Sequence, residues 1–355
     1  MPSVFNVTLL IAVLLFYQTM ESQSKKYSLY VVGFYNVENL FDTIDDPQTI
    51  DEDFTPTGKN HYSLDDYKNK IKNTASVISK IGGTKTKKGP TILGLAEIEN
   101  FNVINDLIHS AELNKLGYQI IHFDSPDRRG IDVALIYQEA LFLPLETEII
   151  EVKLWNEEGA RIYTRDILYV TGILGDEQIH VIVNHWPSRR GGKIRSEPKR
   201  MKTAYMVNQL TNRIFSESPK AKVLILGDFN DDPTDHSIKK LLFQPSSAEN
   251  NVIKLFFNPM EFMFKKGWNT MAYRDALHLF DQIILSKPLI SKDQEYQGLR
   301  YYRAGIFNPS YLIKQDGKYK GYPLRSFENN RYSGGFSDHF PVFIELIMPF
   351  SDQIP

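Results

Sequence analysis

Runs of consecutive apolar residues that stop at Asn, Asp, Glu or His constrain this chain more than any other feature. In residues 223–233, V-L-I-L-G-D-F-N-D-D-P, aliphatic residues lead directly to Asp228 and Asn230. This is the pattern of an ordinary strand with a polar turn, because Asp, Asn, Gly and Pro favour turns. It is equally the pattern of a carboxylate and an amide held at the mouth of a sheet to bind a metal ion and a water molecule. The segment alone leaves both interpretations open.

Strand-like runs rich in Val, Ile, Leu and Tyr recur along the chain. They cover residues 30–37, 91–96, 131–137, 167–174, 179–184, 223–226, 282–285 and 341–346. Several are continuous rather than alternating, which is typical of strands covered on both faces. Helical patterns lie at 64–81, 102–116 and 197–214. Because helices are sparse in 131–185 and 281–346, regular βαβ alternation is incomplete, and we predict sheets packed inside with helices outside.

The amino-acid composition limits the functions that the chain can have. The chain has 355 residues, 42% hydrophobic and 24% charged, which is ordinary for a globular protein. Its formal net charge of −2 provides no global positive field, so binding of nucleic acid would need local basic patches. The chain contains no cysteine. Disulfides, thiolate metal sites and a cysteine nucleophile are therefore excluded.

The amino-terminal segment has the composition of an export signal. Residues 4–20 are mostly apolar, and small serines follow at positions 22 and 24. We predict a signal peptide at about 1–24 and a single domain over 25–350, because no linker or repeat interrupts the rest. The protein is then exported to a bacterial periplasm or secreted, with no stable membrane span after cleavage. The segment before the apolar run has no Lys or Arg, so an uncleaved anchor is the alternative.

Polar residues border six of the strand-like runs. They are Asn36, Glu38, Glu97, His185, Asp228, Asn230, Asp281, Asp338 and His339. Singly, each has an ordinary explanation as a turn or capping residue, Glu97 included. Asp281 is harder to explain in this way, because it interrupts an apolar stretch and a buried carboxylate needs a partner. Together the set has the chemistry of a hard cation such as Mg²⁺ bound by oxygens, with two imidazoles beside it.

The order of these motifs resembles the endonuclease/exonuclease/phosphatase superfamily, which has a deoxyribonuclease I-like fold. The matching motifs are F-Y-N-V-E-N-L, L-A-E-I-E-N, V-N-H-W-P-S, L-G-D-F-N-D, F-D-Q-I-I-L-S and S-D-H-F-P-V, within residues 34–342. H-W-P-S with the following R-R-G-G, and R-G-I-D-V-A-L-I-Y, look most like predicted extracellular nucleases of bacteria. The resemblance implies an α/β four-layer sandwich, in which two mixed β-sheets pack face to face with helices on the outer faces.

The resemblance also implies which residues handle the metal ion and the phosphate. Glu97 resembles the principal ligand of Mg²⁺, for which Mn²⁺ or Ca²⁺ would substitute. Asp338 resembles a second acidic metal contact, and Glu38 stands where some members carry an acidic residue near the metal. Asn36 resembles the asparagine that braces the phosphate and that glutamate.

The remaining members of the set match residues that handle water and protons. Asp228 and Asn230 resemble the pair that orients the attacking water and stabilises the phosphorane. His339 resembles the histidine that contacts the phosphate as acid or base, with Asp281 holding its other ring nitrogen. His185 matches the second histidine of the deoxyribonuclease I type. The sequence does not assign the acid and the base between the two histidines.

A basic segment after His185 bears on the substrate. Residues 188–202 hold seven Lys or Arg and one Glu, which fits either the solvated start of a helix or a loop that grips phosphates. In the second interpretation the substrate contacts are Arg189, Arg190, Lys193 and Arg195, with Arg129 at another edge. Aromatic residues in 301–322 fit base stacking or core packing equally well.

The leading interpretation is therefore an exported, metal-dependent phosphodiesterase, a nuclease of low sequence specificity acting on DNA or RNA. The alternative is a phosphatase or phospholipase C-type hydrolase of the same superfamily, acting on inositol phosphates, sphingomyelin or another small phosphoester. A second alternative is a non-catalytic binding protein that retains the fold, and the complete catalytic set disfavours it. We expect a monomer with nucleic acid as its substrate, and no motif implies a protein partner.

Overall fold

Two mixed six-stranded β-sheets pack face to face and carry helices on their outer faces, as predicted. The computed structural model describes residues 26–82, 88–245, 252–290, 296 and 298–350. The predicted signal peptide lies outside these residues. Among the described residues, no helix combines the length and the apolar composition that crossing a membrane requires.

The strands of the two sheets are numbered in chain order. They are β1 (Tyr27–Leu40), β2 (Ile92–Ile98), β3 (Tyr118–His122), β4 (Asp132–Gln138), β5 (Phe142–Ile150), β6 (Ile167–Leu174), β7 (Glu177–His185), β8 (Lys222–Asp228), β9 (Phe256–Phe257), β10 (Asp281–Ser286), β11 (Arg300–Ile306) and β12 (Val342–Pro349). The first sheet has the order β11-β12-β1-β2-β4-β3, and the second has the order β9-β10-β8-β7-β6-β5. The second sheet is thus built from one continuous stretch of chain, inserted between β4 and β11 of the first.

Short two-stranded ribbons form separate sheets beside the two main ones. They pair Leu154–Trp155 with Arg161–Ile162, Phe243–Pro245 with Val252–Lys254, Met271–Tyr273 with Ala276–His278, and Phe327–Glu328 with Arg331–Tyr332. The third and fourth of these ribbons lie near the end of the sandwich that holds the candidate site.

Five helices are described, and the first two begin at side-chain caps. They are α1 (Leu64–Ile78), α2 (Phe101–Ile108), α3 (Lys193–Glu217), α4 (His236–Leu242) and α5 (Met260–Lys265), with 3₁₀ turns at Glu52–Phe54, Lys287–Leu289 and Ser310–Leu312. At α1, the Ser63 hydroxyl accepts the Asp66 N–H while the Asp66 carboxylate accepts the Ser63 N–H, which forms a capping box. At α2, the Asn100 side chain accepts two backbone N–H groups of the first turn.

The helix predicted at 102–116 is shorter in the structure, where α2 ends at Ile108. The chain continues in tight turns, with Leu113 N–H donating to the Ser110 carbonyl and Leu116 N–H donating to the Leu113 carbonyl. Leu113 is still fully buried. The apolar spacing therefore persists beyond the helix because these turns also pack onto the core.

An apolar run is continuous where both faces of its strand are buried. In β8, Leu224 and Leu226 belong to the core between the sheets, whereas Val223 and Ile225 pack in the cluster that includes the inner face of α3. The sheets approach closely at Gly94, where a side chain would collide with Leu226 of the other sheet. Burial on both faces leaves no position for the polar residues that would make the run alternate.

Parallel pairing brings the strand ends to one edge. β1 runs parallel to β2, and β7 runs parallel to β8, so the carboxyl ends of each pair lie side by side. β10 is antiparallel to β8, and its first residue Asp281 lies opposite Asp228. β12 is antiparallel to β1, so the residues before Val342 lie near the end of β1. The predicted polar residues therefore converge.

Candidate active site

Asp228 is the meeting point of the two sheets at this edge. It ends β8 and is 2% exposed. The Asn36 amide, from β1 of the other sheet, donates a 3.1 Å hydrogen bond to Asp228 Oδ2. The Asn230 N–H donates to Asp228 Oδ1 at 2.9 Å, and the Asn230 side chain donates to the Trp186 carbonyl at 3.0 Å. Burial raises the pKa of Asp228 to about 6, a rise that nearby His339 opposes.

His339 is held by a carboxylate and by the backbone of β1. Its Nδ1 lies 2.7 Å from Asp281 Oδ2, and its Nε2 lies 3.9 Å from Asp228 Oδ2. Its N–H donates to the Ser337 hydroxyl at 3.0 Å, and that hydroxyl donates to the Asn36 carbonyl at 2.7 Å. Burial alone would lower the pKa of His339, but the charges of Asp281 and Asp228 raise it well above its usual range. The geometry therefore favours an imidazolium.

His185 faces the same carboxylate in a different environment. Its Nε2 lies 3.6 Å from Asp228 Oδ2 and 4.0 Å from Glu97 Oε1. Its buried Nδ1 has no hydrogen-bond partner among the described residues. Burial lowers the pKa of His185 well below its usual range, and the charges of Arg165 and Arg129 add to this effect. The geometry therefore favours a neutral imidazole.

Arg165 is a residue of the site that the sequence analysis missed. Its guanidinium is buried, pairs with Asp127 at 3.0 Å and donates to the Trp186 carbonyl at 2.6 Å. Arg129 is exposed and reaches the other oxygen of Asp127 at 3.2 Å. Because Arg165 precedes its strand in a plain T-R-D sequence, no local pattern distinguishes it from a surface residue.

Glu97, at the end of β2, has a strained backbone. Its φ is 63°, and the non-glycine residues Glu38, Asn39 and Asn230 at the same edge also have φ between 49° and 51°. Left-handed conformations of this kind are costly for non-glycine residues and often mark functional sites. Glu97 Oε2 accepts the Asn39 N–H at 2.9 Å, which fixes the carboxylate against β1.

Glu38 belongs to a buried network of charges. Its Oε1 accepts two hydrogen bonds from Arg325, at 3.1 and 3.0 Å, and its Oε2 accepts the Ser326 N–H at 2.6 Å. Arg325 also reaches Asp338 Oδ2 at 3.2 Å. Lys70, fully buried, donates to the Ser326 hydroxyl at 2.6 Å. Both carboxylate oxygens of Glu38 are thus engaged by protein groups, and its contact with a metal ion stays a prediction.

The pKa values of this network reflect its burial. Burial, with the nearby charge of Asp338, raises the pKa of Glu38 to about 7. Burial also lowers the pKa of Lys70 to about 8, although the charge of Glu38 opposes that shift. Arg325 and Lys70 were not identified from the sequence.

The basic segment divides into paired and unpaired cations. Arg189 contacts three aspartates, of which the nearest is Asp235 at 2.7 Å, and Lys193 contacts the same residue at 2.6 Å. Arg190 and Arg195 are exposed and have no ionic partner in the described part of the chain. Phosphate binding by these residues, and by Arg129, stays a prediction, and for Arg189 and Lys193 it competes with existing ion pairs.

A cleft of about 710 Å³ adjoins the site at Asp338 and Arg325. Its walls are the ribbon at Met271–Tyr273 and Ala276–His278 and the segment 314–329. Tyrosine rings and basic side chains line it, among them Tyr273, Tyr319, Tyr322, Arg274, Lys314 and Lys318.

The donor set at the shared edge fits a hard divalent cation. Glu97, Asp228 and Asp338 offer carboxylate oxygens, and one oxygen of buried Asp281 has no hydrogen-bond partner among the described residues. Ligand atoms of Asp228, Asp281 and His339 lie within 4.8 Å of one another. Oxygen donors without thiolates suit Mg²⁺, Mn²⁺ or Ca²⁺.

Comparison with known families agrees with this geometry. A family model described as "Endonuclease/Exonuclease/phosphatase family" matches residues 31–348. The chain belongs to this family. The family and the site together make it a phosphoester hydrolase. No curated protein sequence matches the chain.

Solved structures share the fold at low sequence identity. The D. rerio TDP2 complexed with single-strand DNA product is 13% identical, with a TM-score of 0.52 over 90% of this chain and 99% of that one. The human Nocturnin catalytic domain with bound sulfate is 17% identical, with a TM-score of 0.53 over 91% and 97%. The Bacteroides thetaiotaomicron mannosyl-6-phosphatase Bt3783 is 15% identical, with a TM-score of 0.53 over 89% and 99%. At these identities the likeness establishes the fold.

Proposed function

We propose that the protein is an exported, divalent-metal-dependent nuclease with little sequence preference. The observation that carries the chemistry is the pair of buried imidazoles beside Asp228, one paired with Asp281 and the other near Arg165. Hydrolysis of a phosphodiester needs an activated water, neutralisation of phosphate charge and a proton for the leaving oxygen. The two histidines are suited to the first and the third of these tasks.

Opposite pKa shifts support a division of roles. His339, as an imidazolium held by Asp281, contacts the phosphate and donates a proton to the leaving oxygen. His185, as a neutral imidazole, accepts the proton of the attacking water, which Asp228 and Asn230 orient. Paired groups whose environments separate their pKa values are a general sign of acid and base roles. Glu97 would hold the metal ion with Asp338, and the ion would neutralise the nonbridging phosphate oxygens.

The cleft beside Asp338 supports a polynucleotide substrate. Its tyrosines, two of them more than two-fifths exposed (Tyr273 57%, Tyr319 44%), offer faces on which bases stack. Its basic side chains, Arg274 and Lys318 among them, offer contacts to neighbouring phosphates. Arg190 and Arg195 are exposed and offer further cationic groups for phosphate contacts.

A small phosphoester is the second candidate substrate. Arg189 and Lys193 are paired with Asp235, so part of the basic segment is already neutralised. A site with fewer free cations suits a substrate with one phosphate, and a mannosyl-6-phosphatase has the same fold. The catalytic residues would be the same in either case.

A substrate panel distinguishes these candidates. Plasmid DNA, RNA, sphingomyelin, inositol phosphates and mannose 6-phosphate are incubated with Mg²⁺, with and without excess EDTA. The proposal expects polynucleotides to be cleaved fastest and EDTA to abolish cleavage. Turnover of the small phosphoesters alone would favour the second candidate, and full turnover in excess chelator would refute the metal-dependent mechanism.

Salt dependence tests the polyanion contacts separately. Arg190→Gln with Arg195→Gln should flatten the dependence of KM on salt, by a log–log slope of roughly 0.7–0.9 for each lost phosphate contact. Turnover of bis-p-nitrophenyl phosphate should change little. The control removes two exposed charges elsewhere, with Lys68→Gln and Lys72→Gln on α1. A double variant with wild-type salt dependence would contradict this contact.

Export is tested on the protein made in a bacterial host. Intact mass measured on protein recovered from the periplasm or medium should show loss of about the first 24 residues, as expected of a cleaved signal. Retention of the full-length chain in the membrane fraction would instead support the uncleaved anchor.

A further inference from the structure

The segment that follows β1 concentrates negative charge, and it contains a group of possible ligands separate from Asp228, Asp281 and His339. Residues 42–53 contain six carboxylates, and Glu99 adds a seventh by accepting the Asp42 N–H at 2.6 Å. In the described part of the chain, Lys59 is the only cation that pairs with this segment, at 3.9 Å from Asp53. Like charges at such density repel, so the fold holds them together at a cost unless a cation neutralises them.

Three of these carboxylates have the spacing of ligands. Asp45, Asp51 and Glu52 each offer an oxygen, and the three oxygens lie within 4.8 Å of one another. Oxygens bound to one Ca²⁺ at about 2.4 Å cannot be more than about 4.8 Å apart. Asp45 and Glu52 are exposed, so water can complete the coordination.

Asp51 supplies an independent observation. It is 2% exposed, and its Oδ2 accepts the Asp46 N–H at 3.1 Å. Its Oδ1 is buried and has no hydrogen-bond partner among the described residues. An unsatisfied carboxylate oxygen in such a position costs free energy unless it is paired or coordinates a metal ion.

Glu99 adjoins the acidic segment. It is 8% exposed, and its Oε2 accepts the Asp42 N–H at 2.6 Å. The fold therefore places a further buried carboxylate beside these residues.

We infer that Asp45, Asp51 and Glu52 form a second divalent-cation site, distinct from the reaction centre, and that it binds Ca²⁺. All donors are oxygens, which suit a hard cation such as Ca²⁺, whereas imidazole and thiolate ligands are those typical of zinc and copper sites. Two of the three ligands are exposed on a loop and can adjust, which suits the flexible coordination of Ca²⁺ better than the strict octahedron of Mg²⁺. The site would hold together the segment after β1, which the Asp42 N–H joins to Glu99 just beyond β2.

Thermal unfolding in Ca²⁺ and in EDTA tests this inference. All proteins carry Glu97→Gln, which weakens binding at the reaction centre equally in each. In this background Ca²⁺ should raise Tm, and Asp45→Asn with Glu52→Gln should weaken Ca²⁺ binding in calorimetry by at least about tenfold. In EDTA the same double variant should be as stable as its parent or more so, because it relieves repulsion.

The control removes two exposed charges from another loop, with Glu157→Gln and Glu158→Gln, and should keep the full response to Ca²⁺. Three results would overturn the inference. One is an equal Tm in Ca²⁺ and EDTA for the parent. Another is a Ca²⁺ response that survives Asp45→Asn with Glu52→Gln. A response present in the wild type and lost with Glu97→Gln alone would belong to the reaction centre and would also overturn it.

Discussion

His339 and His185 are both buried, and both lie within 4 Å of Asp228 Oδ2, yet their pKa values shift in opposite directions. His339 is surrounded by carboxylates, with Asp281 at 2.7 Å. His185 lies near the guanidinium groups of Arg165 and Arg129. Burial disfavours the imidazolium in both cases; at His339 the carboxylates outweigh burial, whereas at His185 the arginines add to it. One residue type thereby supplies two chemical roles at one edge of the fold.

Removing the charged imidazole should have the largest effect. His339→Ala should lower kcat on bis-p-nitrophenyl phosphate by at least about 10²-fold, as expected for the loss of a positioned acid. His236→Ala is the matched control, because this exposed histidine on α4 pairs with Glu197 at the surface. Wild-type activity in His339→Ala would show that His339 is not the proton donor, and the proposed contrast between the two histidines would be wrong.

Removing the partner of that imidazole should have a smaller effect. Asp281→Asn should reproduce much of the loss in kcat, because the amide cannot stabilise the imidazolium. Adding Asp281→Asn to His339→Ala should lower kcat little further, because the effects of mutating residues that act as a unit are not additive. An Asp281→Asn variant with full kcat would show that the two residues work independently.

The pH profile separates the two histidines further. If His339 must be protonated, the alkaline limb of kcat/KM reports its pKa. Asp281 favours the charged ring, so its removal lowers the pKa of His339, and the protonated form is lost at a lower pH. Asp281→Asn should therefore move the alkaline limb to lower pH by about 1 unit or more. A limb that stays in place would assign it to another group.

The smallest effect is expected on the His185 side. Arg129→Gln removes an exposed cation that disfavours the imidazolium of His185, so the pKa of His185 should rise. The acid limb of kcat/KM should then move to higher pH, by no more than about half a unit because solvent screens an exposed charge. Arg128→Gln, at the exposed neighbouring position, is the control. Equal shifts in both variants would show a general effect of net charge.

Much of the fold could be predicted because its central strands are covered on both faces. All eight predicted strands are present, with ends shifted by a few residues. The strands that were missed include the edge strands β5 and β11. Leu143 and Leu145 of β5 and Tyr302 of β11 are exposed, so these strands lack a continuous buried run. Their place in the sheet depends on pairing with a neighbour, which local sequence does not encode.

Residues of the candidate site could be predicted only where they lie at the end of a buried strand. Asn36, Asp228 and Asp281 stand directly at the ends of buried runs, and the structure brings them together. Arg325 contacts Glu38 from 287 positions away in the chain. Its own loop carries no pattern that marks such a contact. An ion pair between residues so far apart in the chain forms only when β12 pairs with β1 in the first sheet.

The insertion of the second sheet into the first sets the order in which the site is made. During synthesis from the amino end, β5–β10 are complete before β11 and β12 exist. Asp228 and Asp281 are therefore present on the nascent chain well before His339, which reaches them when β12 adds to β1. On the proposed mechanism, a chain stopped before residue 339 lacks its proton donor. On that mechanism, activity would appear only once translation has passed His339, and a prematurely terminated product would be inactive.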